Sequence, residues 1–257
     1  MSESPILFEK RDDGIAVVTL NRPEKLNALT GPLLDALDEA ERADRVANDP
    51  EIRVFLLRGA PRPDGRPCFS AGVDVNAIME GTGVGEEQGF LLTNKIDDLL
   101  KPSIAVIDGI CTTGGAEIAI ACDFRLVGRQ SRISDWHLKK LGTGLGAWGA
   151  STRWARECGV TNAKQMLLTG RVIDGDEAFR IGFASGVFDS DALQAEAFDM
   201  ATRIAGMNPD GVKLVLAHLD RIEDMSRDQA LRWAQLSADW LDVKVGAAEL
   251  QGKVLGR

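Results

Sequence analysis

The chain contains no tyrosine, two histidines and four cysteines in 257 residues. Without tyrosine, no phenol is available as a proton donor. Cys68, Cys111, Cys122 and Cys158 include no CxxC pair, and so few histidines argue against a zinc site. Buried free thiols in a reducing compartment are the expectation. Positive charge is also in deficit. Lysine and arginine number 30 against 39 acids, a net charge of −9. That argues against nucleic acid or an anionic membrane as the main partner. An anionic ligand would have to meet a local basic patch. No apolar run approaches the roughly 18 residues of a membrane span, and no leader pattern opens the chain. The expectation is a cytoplasmic protein with no nucleic-acid and no membrane partner.

What is present suits one large domain, or a core with a helical appendage. Residues 15–20, 54–58, 104–107 and 124–127 are apolar runs of buried-strand type. Between the first two, Thr30 is a candidate N-cap and Pro32 suits a first turn. Leu33, Leu37, Ala40 and Ala43 then recur at helical spacing. Strand–helix–strand alternation predicts an α/β core. Residues 60–67 and 80–89, rich in proline or glycine, read as loops. From about residue 190 the pattern is helical, with three apolar stripes. They are Leu193, Ala197, Met200 and Ile204; Val212, Val215, Leu219 and Ile222; and Leu231, Ala234, Ser237 and Leu241. The expected division is an α/β core over 1–190 and a helical C-terminal region over 191–257. No repeat of roughly 20–50 residues is visible in the letters.

The most informative stretch is 104–123, IAVIDGICTTGGAEIAIACD. An apolar run ends at Asp108-Gly109, a small-residue turn follows, and Gly114-Gly115 opens a helix carrying Glu117. Backbone N–H groups at a helix start lack intrahelical partners, and glycines let a substrate carbonyl approach them closely. Such donors can hold an oxyanion. Glu117 lies about one turn further on. Its neighbours are apolar, which would raise its pKa and suit it to act as a base.

This stretch resembles the oxyanion helix of the enoyl-CoA hydratase/isomerase (crotonase) family. Three other stretches match the family in order. Residues 21–30, NRPEKLNALT, resemble its first CoA-side loop. Residues 69–75, FSAGVDV, resemble its second oxyanion segment, and 168–178, LTGRVIDGDEA, with Ile181-Gly182-Phe183, resemble the helix-turn that closes its core. The resemblance implies a crotonase-like spiral of ββα units with a helical C-terminal region, assembled as a trimer or a dimer of trimers. It implies an acyl-CoA thioester substrate, no metal, and no cofactor beyond the coenzyme A of the substrate. The oxyanion donors would be the N–H groups of Val73 and Gly114, and Glu117 the first catalytic glutamate. Leu26, Ala28, Ala71, Asp74, Val75 and Asn76 would line the CoA path. Arg22, Lys25 and Arg66 are candidates for its phosphates. Lys253 aligns with a family lysine that reaches the nucleotide of an adjacent subunit.

One departure matters. Hydratases of this family carry a second glutamate about twenty residues after the first, in a Pro-Glu pair. Here the segment reads Ser134-Asp135-Trp136-His137, and no glutamate lies between 118 and 156. Three readings stay open. His137 delivers the proton, since imidazole titrates in the right range; Asp135 does; or Glu117 works alone. Trp136-His137 also resembles the Trp-His pair of chlorobenzoyl-CoA dehalogenases, but the acid those enzymes need is missing from 144–150. The absence of tyrosine disfavours the tyrosine-dependent members of the family. Trp136 and Trp148 either wall an acyl pocket or pack in the core. The leading expectation is hydration of an enoyl-CoA through an enolate. The alternatives are isomerisation, thioester hydrolysis and a non-catalytic binding module.

Overall fold

A computed structural model describes residues 4–42, 46–81, 83–142 and 144–240. Its chain builds two sheets. The larger contains β1 (Ile6–Lys10), β2 (Ile15–Leu20), β3 (Val54–Gly59), β5 (Ser103–Ile107), β7 (Phe124–Gly128) and β9 (Gly186–Phe188), in that order. β1 is antiparallel to β2, and every later pair is parallel. The smaller contains β4 (Cys68–Ser70), β6 (Ile110–Thr112) and β8 (Arg132–Ser134), all parallel. After β2 the chain visits the sheets in turn: β3 then β4, β5 then β6, β7 then β8. Helical segments follow β4, β6 and β8, so three ββα turns stack as a spiral. The turns share geometry rather than sequence, and so the letters show no repeat.

The central strands of the larger sheet are buried on both faces, which explains their continuous apolar runs. Phe55, Leu57, Ala105, Ile107 and Val127 point to one side, where they pack with Phe69, Cys111 and Ile133 of the smaller sheet. Val54, Leu56, Ile104, Val106 and Leu126 point to the other, under Leu193, Ala197 and Ala201 of the helix Ser190–Ala205. The helix Gly31–Arg42 starts after Thr30, whose Oγ1 accepts the Leu33 N–H (3.4 Å) and whose carbonyl accepts the Leu34 N–H (3.0 Å). Leu33, Leu37 and Ala40 are fully buried. Ala43 lies outside the described residues.

Two expectations change. The loop expected over 80–89 ends at Gly85, because the helix Glu86–Asp97 begins inside it. Leu92 and Ile96 of that helix enter the core, and that burial outweighs the poor propensity of its glycine. The chain also divides at 207/208 rather than at 190/191. The helix Ser190–Ala205 buries its apolar stripe on the larger sheet and so belongs to the first unit. The second unit holds the helices Pro209–Leu219 and Arg227–Trp240, with His218 stacked on Trp233 at 4.8 Å. Val215, Leu219 and Leu231 are exposed there. No described helix is long and apolar enough to cross a membrane.

Candidate active site

The site collects at the ends of the three strands of the smaller sheet. After β4 come Ala71, Gly72 and Val73; after β6, Thr113 and Gly114; after β8, Asp135, Trp136 and His137. The loop 21–30 is fastened beside them. Asn27 is fully buried; its side-chain amide donates to the carbonyls of Ala60 and Cys68 (both 2.9 Å) and its oxygen accepts the Arg22 N–H. The Ser70 hydroxyl donates to the Asn27 carbonyl at 2.8 Å. Leu26, Asn27 and Thr113 have left-handed backbones, with φ of 55°, 50° and 52°. Side chains with a β-carbon seldom adopt this conformation, and it concentrates where geometry serves function.

Val73 and Gly114 are brought together. Leu29 and Val73 form an isolated parallel bridge, in which Leu29 donates to the Gly72 carbonyl (2.8 Å) and accepts from the Asp74 N–H (2.9 Å). Both bonds of the bridge use Leu29, so the N–H of Val73 points away from that strand. Gly72 has φ +86°, and a β-carbon placed on it would lie 3.5 Å from the Gly114 nitrogen. The peptide entering Val73 therefore runs against the start of the helix Gly114–Ile120. The first ladder bond of that helix joins the Glu117 N–H to the Thr113 carbonyl at 2.9 Å. The amides of Gly114, Gly115 and Ala116 lie ahead of it.

Glu117 is 1% exposed, but its carboxylate does not sit among apolar groups. Oε1 accepts the backbone N–H groups of Trp148 (3.0 Å) and Ala150 (3.2 Å). Oε2 stands 3.3 Å from His137 Nε2. The other ring nitrogen, Nδ1, is 3.0 Å from both carboxylate oxygens of Asp135, which is fully buried. Asp135 also accepts the His137 backbone N–H at 3.1 Å, fixing ring and carboxylate together. Burial opposes a charge on His137. Its hydrogen bonds to Asp135 and Glu117 and the field of the two carboxylates outweigh that penalty, and its pKa is pushed up to about 10. The imidazole is thus held protonated at neutral pH between two acids. Gly146 is required here: a β-carbon on it would come 2.8 Å from Glu117 Oε1. Among the described residues no group of three or more His, Cys, Asp or Glu is arranged to hold a metal ion.

The enoyl-CoA hydratase/isomerase family model matches residues 10–239. The chain belongs to this family. A short-chain-enoyl-CoA hydratase of Clostridium acetobutylicum is 32% identical over 236 residues, covering 90% of this chain and 87% of that one. A crotonyl-CoA hydratase of Syntrophomonas wolfei is 32% identical over 237 residues, with the same coverage. The crystal structure of an enoyl-CoA hydratase from Bacillus anthracis shares the fold, with a TM-score of 0.87 at 24% identity, covering 98% of this chain and 97% of that one.

The other family positions are placed unevenly. Leu26, Ala71 and Trp136 line one pocket of about 150 Å³, with Ile110, Thr112, Arg132, Ser134 and Val172. Ser134 lines it fully buried, its hydroxyl without a hydrogen-bond partner among the described residues. Trp136 is half-buried; its indole donates to the Gly170 carbonyl (3.1 Å) and Lys140 Nζ sits 3.4 Å above the ring. Ala28 is buried, and Val75 and Asn76 are exposed. Asp74 caps the helix Val75–Met79 and pairs with Arg22 at 3.0 Å. Arg22 also donates to the Ala28 carbonyl, so its guanidinium is engaged within the loop. Arg66 pairs with Asp64 at 2.7 Å, and Lys25 is exposed. Lys253 lies outside the described residues. Sequence reasoning missed the amides of Trp148 and Ala150, since a backbone donor leaves no letter. It also missed Ser134 and Arg132, whose alternation on β8 was the available signal.

Proposed function

We propose that this protein hydrates a 2-enoyl-CoA, with Glu117 as base and His137 as acid. The thioester oxygen lies between the Val73 and Gly114 amides. Glu117 takes a proton from water as the water oxygen attacks Cβ, and the electrons pass to the thioester oxygen as an enolate. The protonated His137 delivers a proton from Nε2 to Cα. Glu117 has then gained one proton and His137 has lost one, and exchange across the short gap between them resets the site. Asp135 acts through His137, holding Nδ1–H so that Nε2 faces the reaction. These steps use no separate cofactor. Leu26, Ala71, Asp74, Val75, Asn76 and Trp136, with Ala28 behind them, border the proposed CoA path.

The observation that carries this reading is the 3.3 Å approach of His137 Nε2 to Glu117 Oε2, with Asp135 behind the ring. It supplies a charged donor opposite a carboxylate, the polarity that hydration needs. A trimer or dimer of trimers is the proposed assembly, supported by the apolar side chains exposed on the second unit. The test is incubation with crotonyl-CoA, a 3-enoyl-CoA and a 3-hydroxyacyl-CoA, following enoyl absorbance and free thiol. The expected result is loss of crotonyl absorbance without thiol release. Glu117→Gln is expected to lower kcat by about 10²–10⁴-fold with CoA-ester binding retained. Thiol release without hydration would overturn the reading.

A further inference from the structure

We propose that the Trp148 side chain closes the acyl pocket and confines the enzyme to short, crotonyl-sized acyl groups. The turn 144–150 reads Gly-Leu-Gly-Ala-Trp-Gly-Ala, so Trp148 is its one aromatic residue. Trp148 is 4% exposed. One edge lies directly on Gly114: a β-carbon there would be 2.8 Å from Cζ3 and 3.2 Å from Cη2. The other edge lies on Gly89, where a β-carbon would collide with Cε2, Cδ2 and Nε1. Gly89 stands inside the helix Glu86–Asp97, a position where glycine is unfavourable relative to alanine. Its effect here is to let the ring reach the helix main chain. The indole is therefore wedged between two backbones, one of which carries the proposed oxyanion amide.

The wedge is also fixed from behind. The Trp148 carbonyl accepts from Thr93 Oγ1 (2.8 Å) and Arg153 Nη1 (2.7 Å). Arg153 is held in turn by Asn94 (2.8 Å) and Asp97 (2.9 Å) of the same helix as Gly89. The Trp148 N–H holds Glu117. Moving this residue aside would break the bonds that orient the base. An acyl chain extending from Cβ along the Gly114 side meets a rigid ring instead of open space. This inference rests on the proposed hydration and names the substrate class of that site.

The test compares crotonyl-, hexenoyl-, octenoyl- and decenoyl-CoA. For the wild type, kcat/KM is expected to fall at least about tenfold from the shortest to the longest. In Trp148→Ala the ratio of decenoyl to crotonyl kcat/KM should rise at least about tenfold, with Trp148→Leu in between. The ratio is internal to each variant, so a general loss of activity does not obscure it, and the leucine variant serves if alanine prevents folding. Binding of butyryl-, hexanoyl- and decanoyl-CoA, measured by calorimetry, needs no chemistry. Preference for butyryl-CoA with no turnover of any enoyl-CoA would sink the proposed reaction and leave this inference standing. Brisk turnover of crotonyl-CoA with equal binding of decanoyl-CoA, or an unchanged ratio in both variants, would overturn the inference alone.

Discussion

Replacing Asp135 by asparagine separates charge from shape at the acid. Asp135 is fully buried, with both oxygens 3.0 Å from His137 Nδ1. An asparagine oxygen can still accept from Nδ1–H and from the His137 backbone N–H, so the ring keeps its place and only the charge is lost. The opposite charge of Asp135 beside the ring favours the imidazolium, an effect typically of about 1–3 pKa units for a neighbouring carboxylate. With the Glu117 carboxylate still in place, the loss is taken at the low end, about one pKa unit at about 1.36 kcal/mol per unit. In the wild type the pKa is pushed up to about 10. The acid must be protonated to work, so activity is present below this pKa and lost above it. The alkaline limb of kcat/KM for crotonyl-CoA should then move from near pH 10 to about pH 9, with little change near neutrality. The same linkage acts on stability. The raised pKa stabilises the fold fully below the ordinary value of 6.5, and this contribution is lost as pH rises through about 10. Wild type and variant should converge in thermal stability above that point. A limb that stays put, or moves upward, would refute the assignment of His137 as an acid supported by Asp135.

Three further outcomes are expected. Gly72→Ala introduces a β-carbon 2.9 Å from the Thr112 carbonyl at φ +86°, so the Val73 amide should be displaced; kcat should fall about 10²–10³-fold, the loss of one oxyanion donor, and an unchanged kcat removes that donor from the mechanism. Trp154 is fully buried and stacked on Phe183 at 4.7 Å; Trp154→Ala should lower unfolding free energy by about 3–5 kcal/mol in a denaturant titration. All four cysteines are buried and unpaired, and burial pushes their thiols up, to about 11 for Cys68 and about 12 for Cys122 and Cys158. The native protein should therefore stay unreactive to a disulfide thiol reagent that labels all four in denaturant, and rapid native labelling would contradict the packing.

The amino-acid sequence by itself determined what depends on local pattern. Apolar runs at 15–20, 54–58, 104–107 and 124–127 became strands because each had to bury both faces. The small residues around Gly72 and Gly114 marked the places where backbone, not side chain, approaches a ligand. Glu117 stood out as the one acid in an apolar helix. The tertiary structure alone decided which group faces it. On sequence, Asp135, His137 or no residue at all could fill the second position, since a slip of one residue at a strand end redirects every side chain. β6 and β8 pair in parallel with Thr112 opposite Ser134. From that register the segments 113–117 and 135–137 leave the sheet side by side, which sets His137 against Glu117 and Asp135 behind it. The amides of Trp148 and Ala150, and the fit of Trp148 between Gly89 and Gly114, arise in the same way. They join chain segments up to some sixty positions apart, and such contacts are fixed by sheet register and helix packing, which no local window of residues encodes.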